Sequence, residues 1–209
     1  MALFIDNKMI IAISGKAGAG KTLSATILYN MMKDLPNVNV KLKSFSKPVY
    51  QIASVILNQK VSHIQDNKNH QAAPYDITNR EVLQLIGQSF RDLLHPDVWN
   101  NIVLDQKYND DTDIIIIDDL RYKNEIENIK LKGSTFIFRI ERETSNTKEK
   151  FRQHKSEIDL DKNQDWDTTI ENNSDIESLN QKLKTQVFLT IKNKLSNQQN
   201  FSRYSVNES

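Results

Sequence analysis

The segment Gly15-Lys16-Ala17-Gly18-Ala19-Gly20-Lys21-Thr22 follows, after one serine, the apolar run Met9–Ile13. It matches G-x-x-x-x-G-K-[ST], a pattern whose glycines let the backbone turn so tightly that successive N–H groups point at one anion. A strand before it and a helix after it, over about 21–33, supply the context that the pattern needs. A glycine-rich turn that matches by chance is the alternative. We predict that this segment binds a nucleoside triphosphate, with Lys21 at the β- and γ-phosphates and Thr22 on Mg²⁺.

The length, net charge and cysteine content of the chain limit the kinds of protein that it can be. The chain has 209 residues, which suits one α/β domain with a substantial core. A formal net charge of +1 offers no electrostatic reason for binding nucleic acid non-specifically, so we expect no nucleic-acid partner. The sequence contains no cysteine, which excludes disulfides, a thiol nucleophile and cysteine-ligated metal sites.

Neither a secretory leader nor a membrane span is predicted. Residues 1–6 lack a basic region followed by a long apolar core. The longest apolar runs, Met9–Ile13 and Ile114–Ile117, have the length of a strand and not of a membrane helix. We therefore expect a soluble cytoplasmic protein with no membrane partner.

The hydrophobic pattern alternates between strand and helix periods and shows no internal repeat. Strands are predicted at 9–13, 38–45, 113–119, 135–141 and 168–171, and the polar stretch 58–77 is predicted to be an exposed loop. The fold class that follows is α/β, a doubly wound parallel five-stranded sheet with helices on both faces and a small lid. We assign residues 1–195 to a single domain, and we expect the polar tail 196–209 to be disordered.

Two carboxylates, Asp118 and Asp119, end the buried run Ile114–Ile117. Ligands of open α/β sheets bind at that end of the strands, where a carboxylate can hold Mg²⁺ directly or through water. One of the pair is expected to serve the metal and the other to cap the next helix, and the residues alone leave open which does which. Arg121 lies near the same edge, with a solvated surface arginine as the alternative interpretation.

Further cations lie on a helix that begins with the capping box Thr78-Asn79-Arg80-Glu81. Arg80 and Arg91 lie about three turns apart and can project from one side of it. Gly87, in mid-helix, costs about 1 kcal/mol relative to alanine, which suggests that a partner helix or a ligand approaches the backbone there. A planar guanidinium at position 91 suits bidentate contact with a phosphate. The alternative is a solvated arginine whose stem packs on Phe90 or Leu94.

A second cationic cluster follows the fourth predicted strand: Arg142, Lys148, Lys150, Arg152, His154 and Lys155. Such a run is usually a solvated face. Beside a triphosphate site it also has the composition of a lid that closes arginines over phosphates during transfer. Both interpretations remain open at this point.

Several short blocks occur in a characteristic order: Gly15–Thr22, Ser44-Phe45, Arg80-Glu81-x-Leu83-Gln84-x-x-Gly87, Pro96-Asp97-x-Trp99, Asp119-x-Arg121-x-x-x-Glu125, Arg139-x-x-Arg142, His154-x-Ser156-Glu157 and Ile170-x-Asn172. In this order they resemble the phage-type deoxynucleoside monophosphate kinases, which belong to the P-loop nucleotide kinases and are similar to animal phosphomevalonate kinases. The resemblance covers about residues 9–185. The phosphate loop alone specifies only the superfamily, whereas the later blocks are more specific.

The resemblance implies transfer of the γ-phosphate of ATP to a deoxynucleoside monophosphate, with Mg²⁺, between acceptor helices at about 46–107 and a lid at about 142–167. It adds Asn172 to the ATP-binding residues 15–22. The expected catalytic residues are Lys21, Asp119, Arg121 and Arg142; the expected metal ligands are Thr22, Asp118 and Asp119, with Asp119 dominant. The expected acceptor-binding residues are Lys47, Arg80, Gly87, Arg91, Trp99 and Arg121.

The chain departs from the family pattern after the second predicted strand. Relatives tend to have Phe-Ala-Asp-x-Leu-Lys there, whereas this chain has Phe45-Ser46-Lys47-Pro48-Val49-Tyr50. Since that block faces the acceptor pocket in such kinases, the base preference is open.

The chemistry needs no general base, because a phosphate acceptor is already anionic at neutral pH. Catalysis then reduces to holding two anions in line and neutralising the transferring group. Two other functions compete with this one: another small-molecule P-loop kinase of the phosphomevalonate or dephospho-coenzyme A type, and a P-loop ATPase or switch. Against the last, no basic stripe with interleaved aromatic residues is present. The partners expected are ATP and a dNMP; a homodimer is one possible assembly, and the sequence leaves the oligomeric state open.

Overall fold

The structure, a computed structural model, describes residues 8–104, 112–143 and 155–196. Within them five parallel strands form one sheet in the order β2-β3-β1-β4-β5. The strands are β1 at Met9–Ser14, β2 at Val40–Lys43, β3 at Ile114–Leu120, β4 at Ser134–Glu141 and β5 at Thr168–Glu171. The predicted five-stranded parallel sheet is confirmed.

Helices connect the strands. They are α1 at Lys21–Met32, α2 at Lys47–Leu57, α3 at Val61–Asp66, α4 at Asn79–Leu93, α5 at Val98–Leu104, α6 at Lys123–Lys130, α7 at Lys155–Ile158 and α8 at Ile176–Lys182. A π-helical segment, Leu183–Phe188, continues α8. None of the helices in the described ranges combines the length and apolar character that a membrane span requires.

The central strand β1 is buried along its whole length because helices cover both faces of the sheet. Met9, Ile11 and Ile13 belong to a core cluster with residues of α1, α8 and the π-helical segment. Ile10 and Ala12 belong to a second cluster with residues of α5 and α6. The prediction of helices on both faces is therefore confirmed.

The predicted exposed loop at 58–77 is wrong in part. Helix α3 forms there, with Ile64 completely buried and Ala72 buried further along. Both join Val82 and Ile86 of α4 in a third core cluster. A helix of six residues with one buried side chain has too weak a period to stand out among polar neighbours, so its burial comes from tertiary packing.

Some predicted segments fall on residues that the structure does not describe. These are residues 144–154 of the predicted lid, with Lys148, Lys150, Arg152 and His154 among them, and residues 197–209 of the predicted tail. The remainder of the lid region contains α7, and Arg142 is exposed immediately after β4.

Candidate active site

The phosphate loop lies at the carboxyl end of β1, and its glycines are required by the backbone. Gly15 has φ 148° and Gly20 has φ 104°, a region that L-residues with a side chain rarely adopt. A Cβ at position 15 would overlap the carbonyl oxygen of Ile140, and one at position 20 would lie 2.5 Å from Asn172 Nδ2. The loop therefore sits against its neighbours at a distance that only glycine permits.

Asn172 was expected to bind ATP, and the structure gives it another role. Its side chain is buried, and Nδ2 donates to the carbonyl oxygen of Ala19 over 2.8 Å. It does not line the cleft. We therefore correct this prediction: Asn172 supports the phosphate loop from behind.

Lys21 begins α1 at the edge of the loop and is only 8% exposed. Its ammonium group donates to the carbonyl oxygens of Gly15 over 2.7 Å and of Lys16 over 2.9 Å. Burial, and then the nearby Arg121 guanidinium, lower the pKa of Lys21 to about 8, although Glu157 and the two aspartates oppose the shift. A group that is this costly to keep charged gains strongly from an anion beside it.

The two aspartates at the end of β3 have different partners. Thr22 Oγ1 donates to Asp118 Oδ2 over 3.0 Å. The other oxygen of this carboxylate, Asp118 Oδ1, is buried and has no hydrogen-bond partner within the described ranges. Burial, reinforced by Asp119, raises the pKa of Asp118. Asp118 and Thr22 thus place oxygen atoms together beside the phosphate loop, with one buried oxygen still unsatisfied.

Both oxygens of Asp119, by contrast, already accept hydrogen bonds. Oδ1 accepts from the N–H of Phe45 over 2.7 Å, and Oδ2 accepts from the N–H of Ser46 over 2.8 Å and from Ser44 Oγ over 2.7 Å. These contacts argue against our prediction that Asp119 is the dominant metal ligand and a catalytic group. We assign it instead to holding the loop between β2 and α2.

On the acceptor side, Arg91 of α4 is held by three neighbours. Nη2 pairs with Glu125 Oε1 at 3.2 Å, Nη1 donates to the carbonyl oxygen of Gly87 over 3.0 Å, and the guanidinium lies 4.0 Å from the centre of the Tyr122 ring. Glu125 is 2% exposed, and burial raises its pKa to about 7. Arg91 therefore reaches the cleft from a fixed position and not from a solvated helix face.

Trp99 was expected to contact the substrate, and this prediction is wrong. The side chain is 1% exposed and does not line the cleft. Its indole N–H donates to the carbonyl oxygen of Gly87 over 2.9 Å, and its ring lies 5.4 Å from that of Phe90. Trp99 and Arg91 both donate to the carbonyl oxygen of Gly87, and Trp99 supports α4 from the core.

A carboxylate that we did not predict, Glu157 of α7, lies against the phosphate loop. It forms a salt bridge with Arg121 and accepts a hydrogen bond from the N–H of Ala17 over 3.2 Å. The Lys16 ammonium donates to the carbonyl oxygen of Glu157 and pairs with Asp161. Although burial alone would raise it, the Arg121 guanidinium holds the pKa of Glu157 below its usual value.

One cleft of about 990 Å³ joins these groups. The predicted site residues that line it are Ala17, Gly18, Gly20, Lys21, Thr22, Lys47, Arg80, Gly87, Arg91, Asp118, Asp119 and Arg121. Trp99, Asn172 and Arg142 are not brought to its wall. Glu125 and Glu157 line it without having been predicted. Both stand in the blocks Asp119-x-Arg121-x-x-x-Glu125 and His154-x-Ser156-Glu157, and this position in a shared block was the signal available for them.

Comparison with known proteins shows the family of this chain. Residues 24–183 match the family model for deoxynucleotide monophosphate kinase. A deoxynucleoside-5'-monophosphate kinase of Escherichia phage T5 is 24% identical over 176 residues, a match that covers 57% of this chain and 70% of that protein.

Two solved kinases have a similar outline. A shikimate kinase from Aquifex aeolicus has a TM-score of 0.41 at 10% identity and covers 90% of this chain and 98% of its own. An APS kinase from Mycobacterium tuberculosis has a TM-score of 0.37 at 10% identity and covers 86% of this chain and 96% of its own. The fold is shown by the strand order described above, and the family by the model that matches residues 24–183. The resemblance drawn from the short blocks is confirmed, and this chain belongs to the deoxynucleotide monophosphate kinase family.

Proposed function

We propose that this protein transfers the γ-phosphoryl group of ATP to the phosphate of a deoxynucleoside monophosphate, giving ADP and a deoxynucleoside diphosphate. The observation that carries the proposal is that one cleft holds both the phosphate loop and a second set of cations on the acceptor helices. Membership of the family and the activity of the phage T5 relative support the same reaction.

The donor half of the cleft suits a triphosphate. The backbone N–H groups of residues 15–22 surround an anion, and Lys21 exchanges the carbonyl oxygens of Gly15 and Lys16 for β- and γ-phosphate oxygens. Since burial disfavours its charge, the ammonium is stabilised most when those phosphates are present.

Thr22 and Asp118 fit a Mg²⁺ ion. Both supply hard oxygen atoms, and the buried, unpartnered Asp118 Oδ1 is the observation that favours a cation at this place. A Mg²⁺ ion held by Thr22 and Asp118 would supply positive charge against the phosphates of the donor. Asp119 contributes indirectly, because it fixes the loop at 44–46 that forms one wall of the cleft.

The acceptor half presents Arg91, Arg80 and Lys47. We assign the acceptor phosphate to Arg91, whose guanidinium has five N–H groups and uses two of them in its contacts with Glu125 and Gly87. Arg121 is linked through Glu157 to the phosphate loop and through Glu125 to Arg91, so we assign it to the transferring group between the two anions. No residue has to remove a proton, because the acceptor oxygen is already anionic.

Three broader expectations remain proposals. A lid over about 142–167 would carry Arg142 to the phosphates and exclude water during transfer. A homodimer is the assembly that we propose to test by light scattering. The phage source of the relative supports a place of action in the host cytoplasm.

The test is a panel of the four dNMPs, the corresponding ribonucleotides and phosphomevalonate, each with ATP and Mg²⁺, followed by separation of the products. We expect dNDP and ADP in equal amounts with at least one dNMP, and no product from Lys21→Ala protein of unchanged thermal stability. ATP hydrolysis that is independent of every dNMP but stimulated by DNA would contradict the proposal in favour of an ATPase.

A further inference from the structure

We infer that Glu125 is a positioning residue that sets the spacing between the acceptor arginine Arg91 and the transfer-site arginine Arg121. The inference rests on the proposed function, since it concerns the geometry of that reaction. Its structural basis is one buried carboxylate whose two oxygen atoms contact different elements, the backbone that follows β3 and the Arg91 guanidinium of α4.

Glu125 Oε2 accepts hydrogen bonds from two successive backbone N–H groups, of Arg121 over 2.7 Å and of Tyr122 over 3.0 Å. These bonds fix the backbone that leaves β3 and from which the Arg121 side chain projects. Oε1 accepts from Arg91 Nη2 over 3.2 Å. The same carboxylate therefore ties the end of β3 to helix α4, 34 residues earlier in the chain.

Both residues that form this contact, Glu125 and Arg91, are held in place by other parts of the fold. Glu125 stands in the first turn of α6, which is fixed in the core through buried Ile126 and Ile129. Arg91 is held by the Gly87 carbonyl oxygen, which also accepts the indole N–H of Trp99. Buried side chains with satisfied hydrogen bonds lose little further freedom when a ligand arrives, so the link can hold both arginines near their working positions before substrate binds.

Capping of α6 does not account for the arrangement. At the start of α6, Oε2 accepts the N–H of the N-cap residue Tyr122, and the N–H of Lys123 is accepted by Asp159 Oδ2 over 2.9 Å, so the cap does not need Oε1. The second oxygen contacts a cation from another helix, and a neutral glutamine would serve the cap at less cost of burial than a carboxylate. Glutamine, however, has one oxygen and one NH₂ group, so if its oxygen kept the cap, its NH₂ group would face the Arg91 donors. A carboxylate is the group that satisfies both sides.

The first experiment is Glu125→Gln, followed by steady-state kinetics with dNMP and ATP varied separately. We expect the KM for dNMP to rise at least about fivefold and kcat to fall, because one carboxylate no longer holds both the Arg91 guanidinium and the backbone at Arg121. The KM for ATP should change less than twofold, because the hydrogen bonds of Glu125 go to Arg91, Arg121 and Tyr122 and not to the phosphate loop.

Glu81→Gln is the matched control. Glu81 closes the capping box of α4 through Thr78, in the same way that Glu125 caps α6, but it lies ten residues or about 15 Å along the helix from Arg91. It should lower the thermal stability and leave the KM for dNMP within twofold. Glu125→Gln that alters only stability, as Glu81→Gln does, would overturn the inference.

A double-mutant cycle measures the coupling between Glu125 and Arg91 in dNMP binding, which a purely structural role of Glu125 would not produce. Arg91→Lys should raise the KM for dNMP at least about fivefold in the wild-type background and distinctly less in the Glu125→Gln background. Additive effects would overturn the inference while leaving the proposed function intact. A wild-type protein that phosphorylates no dNMP refutes the proposed function and the inference together, so the two failures are distinguishable.

Discussion

The Thr22 hydroxyl donates a hydrogen bond to Asp118 Oδ2 over 3.0 Å, while the adjacent Asp119 accepts the N–H groups of Phe45 and Ser46. The pairing of β3 with β1 shifts register beside these residues, between Ala12 and Ser14, and the two carboxylates take different partners although both line the cleft. One faces the phosphate loop and the other faces the loop between β2 and α2.

This division predicts different defects for the two aspartates. Asp118→Asn should raise the Mg²⁺ concentration needed for half-maximal activity at least about tenfold, because a ligand charge is lost. Asp119→Asn should lower the free energy of unfolding by about 1–3 kcal/mol, since an amide cannot accept all three hydrogen bonds. Activity against Mg²⁺ concentration and urea unfolding, measured on both variants, check this. A larger Mg²⁺ effect in Asp119→Asn would return the metal role to Asp119.

ATP affinity should depend on pH through Lys21. With a pKa of about 8 in the free protein, the ammonium loses its proton above that pH, and the bound phosphates favour the charged form. The Kd for ATP, measured by calorimetry between pH 7 and 9.5, should therefore rise above about pH 8. Lys21→Ala should bind ATP weakly with a flatter profile over this range, and its kcat should fall by about a thousandfold or more. A wild-type profile that is flat to pH 9.5 would contradict the assignment.

Glu157 should compete with ATP for the phosphate loop. Its carboxylate contacts Arg121 and the N–H of Ala17, and its charge acts on Lys21, so it engages groups that the phosphates require. We expect Glu157→Gln to lower the Kd for ATP about threefold or more. Asp165→Asn is the control, since that carboxylate pairs with Lys130 on the exposed surface. Weaker ATP binding in Glu157→Gln would mean that the carboxylate orients Arg121 instead of competing with the ligand.

The sequence predicts the donor half of the site well because the residues that form the phosphate loop are contiguous in the chain. All the residues of 15–22 act through one loop, and the apolar runs on either side of it place that loop between β1 and α1. The same local character made the capping box of α4 predictable, and the structure confirms both bonds between Thr78 and Glu81.

Other roles in the site depend on contacts between distant segments, and the sequence does not predict them for that reason. Two adjacent aspartates in the sequence do not show which of them will accept hydrogen bonds from the loop at 44–46. Trp99 was predicted to contact the substrate, but its side chain is buried in the core, where the indole N–H donates to the carbonyl oxygen of Gly87. Glu125 and Arg91 carry no local pattern that would join them, since their contact exists only once α4 and the start of α6 are brought together by the fold.

Glu125 should also make the stability of the protein depend on pH. Its carboxyl has a pKa of about 7 in the folded protein because of burial, with a further rise from Asp119, whereas Arg91 and the backbone N–H groups of Arg121 and Tyr122 oppose the rise. An ordinary glutamate has a pKa of 4.5, so between pH 4.5 and 7 the folded state binds more protons than the unfolded state. The free energy of unfolding should therefore fall as the pH rises through this window and change no further above it. The whole effect is at most about 3 kcal/mol.

Glu125→Gln removes this titration, so a comparison of the variant with the wild type separates the effect of Glu125 from that of the other titrating groups. Glu157, whose pKa is lowered, contributes stability that is present above its unfolded pKa and is lost only as the pH falls through its lower folded pKa, outside the window. Asp118, whose pKa is raised, is common to both proteins and cancels in the comparison. Urea unfolding of wild type and variant at pH 5, 6, 7 and 8 gives the difference between their free energies of unfolding. We expect the wild type to lose stability relative to the variant from pH 5 to 7 and to keep a constant difference from pH 7 to 8. A difference that is constant over the whole range would show that the buried carboxyl ionises as an exposed one does, with the Arg91 pair offsetting the cost of burial in full.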